Sequence, residues 1–234
     1  MKPIILITVY RRYHELLKNL EKVHELGEEL RLTPHIVLVW NTPESGRLWL
    51  IQDLIKQRKV THVITREGEG GNITYEESRN IRAGLEFIDK NYHNYYVIMQ
   101  AADINPVKGI YRHIENQLYQ GKKAVLFFWE HGCFNSDVYH TNFWGVKDKS
   151  YWPPLANRDS PDVLERLWGM DLAQRGLTDF ILINNHGGRN FKEKHESENL
   201  PSIESRLDIG GGVFCYIRGS VSTWERFKKW LKWW

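Results

Sequence analysis

Asp103 and Asn105 are the side chains whose types and spacing point most directly to chemistry. They follow the run Tyr95-Tyr96-Val97-Ile98-Met99-Gln100, which is apolar, rich in aromatic and β-branched residues, and reads as a buried strand. Ala101 and Ala102 come next, then Asp103-Ile104-Asn105-Pro106, with Pro106 read as the end of the run. A carboxylate and an amide thus fall at the carboxyl end of a strand, where open α/β sheets hold their ligands. Their oxygens suit a hard cation such as Mg2+ or Mn2+, which takes few protein ligands and completes its shell with phosphates. The same residues also fit a plain loop in which Asp103 caps the following helix.

The elements that must position these groups alternate through the first half. Strands are predicted at Pro3 to Val9, His35 to Trp40, Thr61 to Thr65, Tyr95 to Gln100 and Lys123 to Trp129. Helices are predicted at Tyr13 to Leu30, Gly46 to Arg58, Thr74 to about Asp89, and Val107 to Gln120. Thr74 with Glu77 three residues on has a capping-box pattern. Before it lies the Gly-rich stretch Glu67-Gly68-Glu69-Gly70-Gly71-Asn72, whose backbone amides can approach a ligand. It carries neither the Walker lysine pattern nor the dinucleotide fingerprint. This rhythm predicts a mostly parallel central sheet with right-handed crossovers and helices on both faces. Later, Glu130 to Leu155 reads as a long loop or short hairpin. Ser160-Pro161-Asp162 opens a helix that stops at Gly176. Asp179 to Asn184 reads as a strand, His186 to Ser205 as a surface loop, and Gly211 to Arg218 as a last strand.

Composition narrows the class. The chain has 234 residues, 41% of them apolar, and a formal net charge of +3, too small to imply a nucleic-acid binder. Two cysteines, Cys133 and Cys215, cannot build a disulfide framework, and His131 with Cys133 lacks further ligands at zinc-finger spacing. No secretory signal or membrane span is evident, so a cytoplasmic setting is expected.

The order of parts resembles a GT-A glycosyltransferase, closest to the inverting family-2 type. Thr8-Val9-Tyr10-Arg11 ends the first strand where that family begins its nucleotide pocket. Asn41-Thr42-Pro43-Glu44 ends the second, where the family often has an acid touching base or ribose. Ser78-Arg79-Asn80-Ile81-Arg82-Ala83-Gly84-Leu85 is similar to the family's Ala-Arg-Asn helix, with an insertion before Gly84. Asp103-Ile104-Asn105 stands where the family has Asp-x-Asp. The likeness covers roughly residues 3 to 190 and departs at Asn105, which loses a charge, and at Ala102, where many relatives have another acid. It implies a single GT-A (Rossmann-like) domain over 1–219. The nucleotide-sugar half reaches to about residue 106 and the acceptor half covers about 107–219.

The resemblance implies transfer of a sugar from a nucleotide-diphosphate sugar to an acceptor hydroxyl. It also assigns roles. Asp103, Asn105 and His186 would hold the divalent cation. Thr8, Tyr10, Arg11, Asn41, Glu44, Asn72, Arg79 and Asp103 would bind the donor, with Arg79 neutralising phosphate or orienting Asp103. Asp162 or Glu165, near the start of the helix after the acceptor loop, would be the general base. Their other reading is as helix-dipole and capping acids. Asp171 is a third candidate, with an Asp171–Arg175 pair as its plain explanation. The rings and short polar groups of Phe127 to His131 and Tyr139 to Trp144 suit the face of a sugar acceptor, or core packing.

The segment 220–234, with Trp224, Phe227, Trp230, Leu231 and Trp234 on one side and Arg226, Lys229 and Lys232 more polar-facing, reads as a basic aromatic amphipathic helix. It suits the inner membrane face and a lipid-linked acceptor, or docking on the domain or across a homodimer; sugar and protein acceptors are the other options. Two further readings compete with transfer. One is a binding or structural protein of the same fold that lost its site. The other is a nucleotidyltransferase, disfavoured because no Arg- and Lys-bearing Gly-rich loop follows the first strand.

Overall fold

In a computed structural model of the chain, residues 1–10, 13–41, 48–129, 138–184 and 214–216 are described. The apolar runs of the first half become neighbouring parallel strands. β1 (Lys2–Tyr10), β2 (His35–Asn41), β3 (His62–Arg66) and β4 (Tyr95–Ala101) stand in the order β3-β2-β1-β4. Ile4 pairs with His35 and Lys2 with Tyr95, so the strands run in step and end at a common edge. Ile4, Ile5, Leu6 and Ile7 have no accessible surface, which is why β1 is apolar without alternation: both its faces are covered.

The covers are α1 (Tyr13–Gly27), α2 (Leu48–Lys56), α3 (Ile73–Asn91) and α4 (Ile110–Tyr119). Leu16, Leu20, Val23 and Leu26 form the buried stripe of α1, while His24 faces out and meets the Lys59 carbonyl at 2.9 Å. Gly84 of α3 lies directly over Leu6 and Val39, closer than any side chain would allow. Tyr111 and Glu115 of α4 instead reach Gln100 and Tyr96 of β4. Leu6 is paired with Met99, and Gln100, one residue on, points to the other side. So α3 and α4 cover opposite faces.

That contact makes a direct test. Gly84→Val must push a branched side chain into Leu6 and Val39, and overpacking of this kind costs about 1–3 kcal/mol or more. We expect the urea midpoint to fall accordingly, against the up to ~1 kcal/mol that leaving glycine would otherwise gain in a helix.

The second half departs from the prediction. Residues 130–155 contain strands β7 (Val138–Tyr139) and β8 (Phe143–Val146). β8 enters the sheet antiparallel, between β4 and β6 (Ala124–Trp129). Phe143 and Trp144 are fully buried, and Gly145 lies under Ile114 of α4 where no side chain would fit. Four residues with a central glycine are too few to show periodicity, hence the loop reading. α5 (Leu164–Gln174) follows, then β9 (Phe180–Asn184), parallel to β6, completing an eight-stranded sheet. Away from that sheet, β5 (Ile104–Pro106) pairs antiparallel with β10 (Phe214–Tyr216). Pro106 therefore belongs to a short second strand rather than closing β4.

Three helix starts also differ. α3 is capped by Asn72, whose Oδ1 accepts from Tyr75 N at 2.8 Å, so Thr74 and Glu77 make no capping box. α4 begins at Ile110 with Gly109 as its cap, so Asp103 caps nothing there. α5 begins at Leu164, after Val163; Ser160 instead closes a turn, accepting from Asp162 N at 3.3 Å. The stop at Gly176 is as expected: it takes φ of 63°, and its N–H bonds to the Ala173 carbonyl at 3.1 Å. Segment 220–234 lies outside the described residues. Among the described residues no helix is long and apolar enough to cross a membrane.

Candidate functional site

The carboxyl ends of β1 to β4 share one edge of the sheet, and the chain between β4 and β5 turns there through Ala102 and Asp103. This turn is held from several sides. Ala102 N donates to Thr8 O at 3.1 Å and Ala101 N to Asn142 O at 2.9 Å. Fully buried Asn19 of α1 donates to the Ala101 and Ile104 carbonyls at 3.2 and 2.7 Å. Gln100, held by the Tyr111 hydroxyl at 2.6 Å, adds a bond to Ile104 O at 3.3 Å. Asp103 and Asn105 keep partial exposure, while Ile104 between them is buried. Asn105 sits opposite Cys215 in the short antiparallel pair.

Reversal of β8 brings its start, Thr141 and Asn142, to this same edge. The Thr141 hydroxyl donates to Glu77 of α3 at 2.6 Å, and Glu165 in the first turn of α5 lies near both. Burial, then the nearby charges of Glu165 and Asp103, push the Glu77 carboxyl up to about 8. Burial also raises Glu165, against the pull of its own backbone N–H and of Thr141. Both glutamates are enclosed by protein yet retain some accessible surface. Sequence reasoning missed Glu77 by assigning it to a capping box, and had Thr141 only within a stretch suited to an acceptor sugar. The adjacent pair Glu76-Glu77 carried no signal as to which acid turns inward.

Glu77 has a measurable signature. A folded carboxyl that holds its proton above the unfolded value of 4.5 gives stability that is full below about pH 4.5. That stability is lost as pH rises towards about 8. We expect the urea midpoint of the native chain to fall across this window, on the order of a few kcal/mol in total. In Glu77→Gln the slope should largely flatten.

Other acids and amides of this edge have structural work. Glu76 turns the other way: its carboxylate accepts from Asn41 Nδ2 at 3.1 Å and from Glu69 N at 2.7 Å, with Arg66 at 3.9 Å. Arg66 also donates to Asn80 at 2.5 Å. Arg79 pairs with Glu69 at 2.5 Å and donates to the Tyr75 hydroxyl at 3.2 Å, so its guanidinium is directed to the Gly-rich loop. Asn72, besides capping α3, donates to Ser160 O at 2.7 Å, and Arg158 donates to Glu69 O at 3.1 Å. Asp162 accepts from Arg166 at 2.9 Å on the partly exposed rim. Asp171 pairs with Arg175 at 2.5 Å, the plain explanation offered above. The structure thus brings together Thr8 (by its carbonyl), Asp103, Glu77, Thr141 and Glu165. Asn41, Asn72 and Arg79 support the neighbouring loop. The backbone of Tyr10 continues β1 beside Asn41, while Arg11, Glu44, His186, His131 and Cys133 lie outside the described residues.

A divalent cation can be tested against these donors. Among the described residues no three His, Cys, Asp or Glu side chains form a ready-made cage. Asp103 and Asn105 offer a carboxylate and an amide oxygen at a strand end, a set that suits a hard ion whose remaining ligands are phosphate oxygens and water. The crowding of negative charge around Glu77 is also what a nearby dication relieves. The residues present fit such an ion.

No family model matches the sequence, and no curated protein matches it. Solved structures do. A Pyrobaculum calidifontis mannosyltransferase, PcManGT, in complex with GDP-Man and Mn2+, superposes with TM-score 0.56 at 11% identity, covering 79% of this chain and 55% of its own. A glycosyltransferase involved in glycosylation of the major capsid of PBCV-1 gives 0.54 at 10% identity, covering 98% and 100%. S. aureus TarS 1-349 with UDP-GlcNAc gives 0.50 at 11% identity, covering 88% and 63%. The chain has the GT-A fold of these glycosyltransferases, as its sequence predicted, and spans only 55–63% of the length of the mannosyltransferase and TarS chains.

Proposed function

We propose that this chain transfers a sugar from a nucleoside-diphosphate sugar to an acceptor hydroxyl, with inversion. One observation carries the reading: the carboxylates of Glu165 and Asp103, from two other elements, both act on Glu77 at the carboxyl edge of a GT-A sheet. Asp103, with Asn105, is on the donor side, and His186 is the candidate for a further metal ligand. A divalent cation bound there supplies charge neutralisation to the departing diphosphate. Glu165 is the base. It takes the acceptor proton as the hydroxyl oxygen bonds to the anomeric carbon, and the bond from that carbon to the phosphate oxygen breaks with its electron pair leaving on the nucleoside diphosphate. Glu165 is preferred to Asp162 because the latter is engaged by Arg166 at the rim.

The test is a panel of nucleotide sugars, GDP-mannose and UDP-N-acetylglucosamine first, with and without Mn2+. A donor at 100 times its Kd should stabilise the fold by about 2.7 kcal/mol, which for a chain of this size raises Tm by roughly 5–10 °C. Release of nucleoside diphosphate should follow for the same donor. No shift and no release with any donor would sink the proposal and leave a non-catalytic protein of this fold.

A further inference from the structure

We propose that residues 153–160 form a strap, bonded along α3 and to the Gly-rich loop, that sets where α5 begins and so positions Glu165, with Asn72 as the positioning residue at its last hold. The strap stands on hydrogen bonds alone; its effect on catalysis rests on the transfer reading above.

The chain from Trp152 to Val163 forms neither helix nor strand. A stretch of that length without backbone pairing of its own must be ordered by other groups. Side chains do this, and they come in order. Arg82 donates to Pro153 O at 3.0 Å, and Ala156 N donates to Ser78 Oγ at 3.1 Å. Asn72 Nδ2 donates to Ser160 O at 2.7 Å. As the strap runs from 153 to 160, its partners run from Arg82 back to the helix cap at Asn72, so it lies antiparallel along about 15 Å of α3. Ala156 and Ser78, at the middle contact, are buried. Pro153, Pro154 and Pro161 restrict the backbone near both ends.

A further hold reaches the Gly-rich loop. Arg158 donates to Glu69 O at 3.1 Å. A Cβ at Gly71, where φ is 142°, would meet Arg158 Cγ at 3.2 Å and Tyr75 Cδ1 at 2.9 Å. Glycine at 71 therefore has a structural reason, close passage of the strap, that is separate from any ligand.

The consequence falls on α5. Its first residue, Leu164, has no side-chain cap before it. Leu164 and Trp168 are buried and fix which face of α5 turns inward. The Ser160 carbonyl, gripped by Asn72, fixes where the first turn starts along α3. Asn72 uses both ends of its amide: Oδ1 accepts from Tyr75 N at 2.8 Å and caps α3, while Nδ2 holds Ser160. Glu77 and Glu165 each come five residues after one end of that bond. One side chain thus ties together the starts of the two helices that carry the acids. This use differs from the donor contact that the resemblance implies for Asn72.

Two substitutions separate the roles. Aspartate and serine cap helices about as well as asparagine, so α3 should be kept in both. Aspartate offers an oxygen where the Ser160 carbonyl needs a donor, and serine is too short to reach it. The experiment compares the full native chain with Asn72→Asp and Asn72→Ser. Amide hydrogen exchange, followed by mass spectrometry without donor, should quicken about three- to tenfold over residues 158–166, the weight of one hydrogen bond, and stay unchanged in β1 and β4. Nucleoside diphosphate release from GDP-mannose and UDP-N-acetylglucosamine should show kcat lowered about tenfold or more, with donor KM in the neutral Asn72→Ser within about twofold of native. Unchanged exchange over 158–166 in both variants overturns the strap. Faster exchange with native kcat removes the positioning role. A raised donor KM with native kcat in Asn72→Ser makes Asn72 a donor contact and also defeats it. Faster exchange in a chain whose native form releases nothing from either donor keeps the strap and removes the transfer reading, and with it the effect on catalysis.

Discussion

Glu165→Gln is expected to lower acceptor-dependent transfer by about 10²- to 10⁴-fold. The substitution keeps the shape but cannot take a proton. Donor affinity, read by calorimetry, should be unchanged, because Glu165 lies on α5 and the donor-side groups on the β4–β5 turn. Asp162→Asn is the matched control. Its carboxylate pairs with Arg166 at 2.9 Å, and Arg166 is more than half exposed. Pairs of that kind contribute at most about 1 kcal/mol, so turnover should stay within about threefold. A larger loss in Asp162→Asn than in Glu165→Gln would reverse the assignment of the base.

Asp103→Ala carries the second large effect. Removing a group that stabilises developing charge on a leaving oxygen costs about 10²- to 10³-fold in rate, and here any gain in donor affinity on adding Mn2+ should disappear as well. The variant should fold, since backbone bonds, Asn19 and Gln100 hold the turn from several sides. It has a second readout that does not involve the donor. Asp103 is one of the two anions that raise Glu77, so its loss should lower the Glu77 titration midpoint. An unchanged midpoint together with unchanged metal-dependent binding would place Asp103 outside the site.

How far the sequence alone reaches differs from element to element for physical reasons. β1, β2 and β4 could be read because strands covered on both faces must be apolar throughout, and α1 because Leu16, Leu20, Val23 and Leu26 recur at helical spacing. Asp103 could be placed because the end of so apolar a strand is itself sharp. β8 could not, since it is four residues long and the need for glycine at 145 comes from Ile114 of a distant helix packed over it. Glu77 was hidden by a local pattern that fits equally well: Thr74 and Glu77 are spaced for a capping box, but Asn72, two residues earlier, caps first. Once it does, Glu77 is released to face Thr141, some sixty residues away in sequence. The choice between Asp162 and Glu165 likewise turned on where α5 begins, and helix starts without a side-chain cap leave no mark in the sequence.

The reversed strand β8 has a bearing on cooperativity. Within the sheet, the parallel set ending in β4 joins the set built on β6 through β8 alone among the described residues. Four residues are therefore the seam across which the two halves of the molecule stiffen one another. Amide exchange at Trp144 and Val146 should track whichever half opens first, and loosening that seam would uncouple the β4–β5 turn from α5 without touching either.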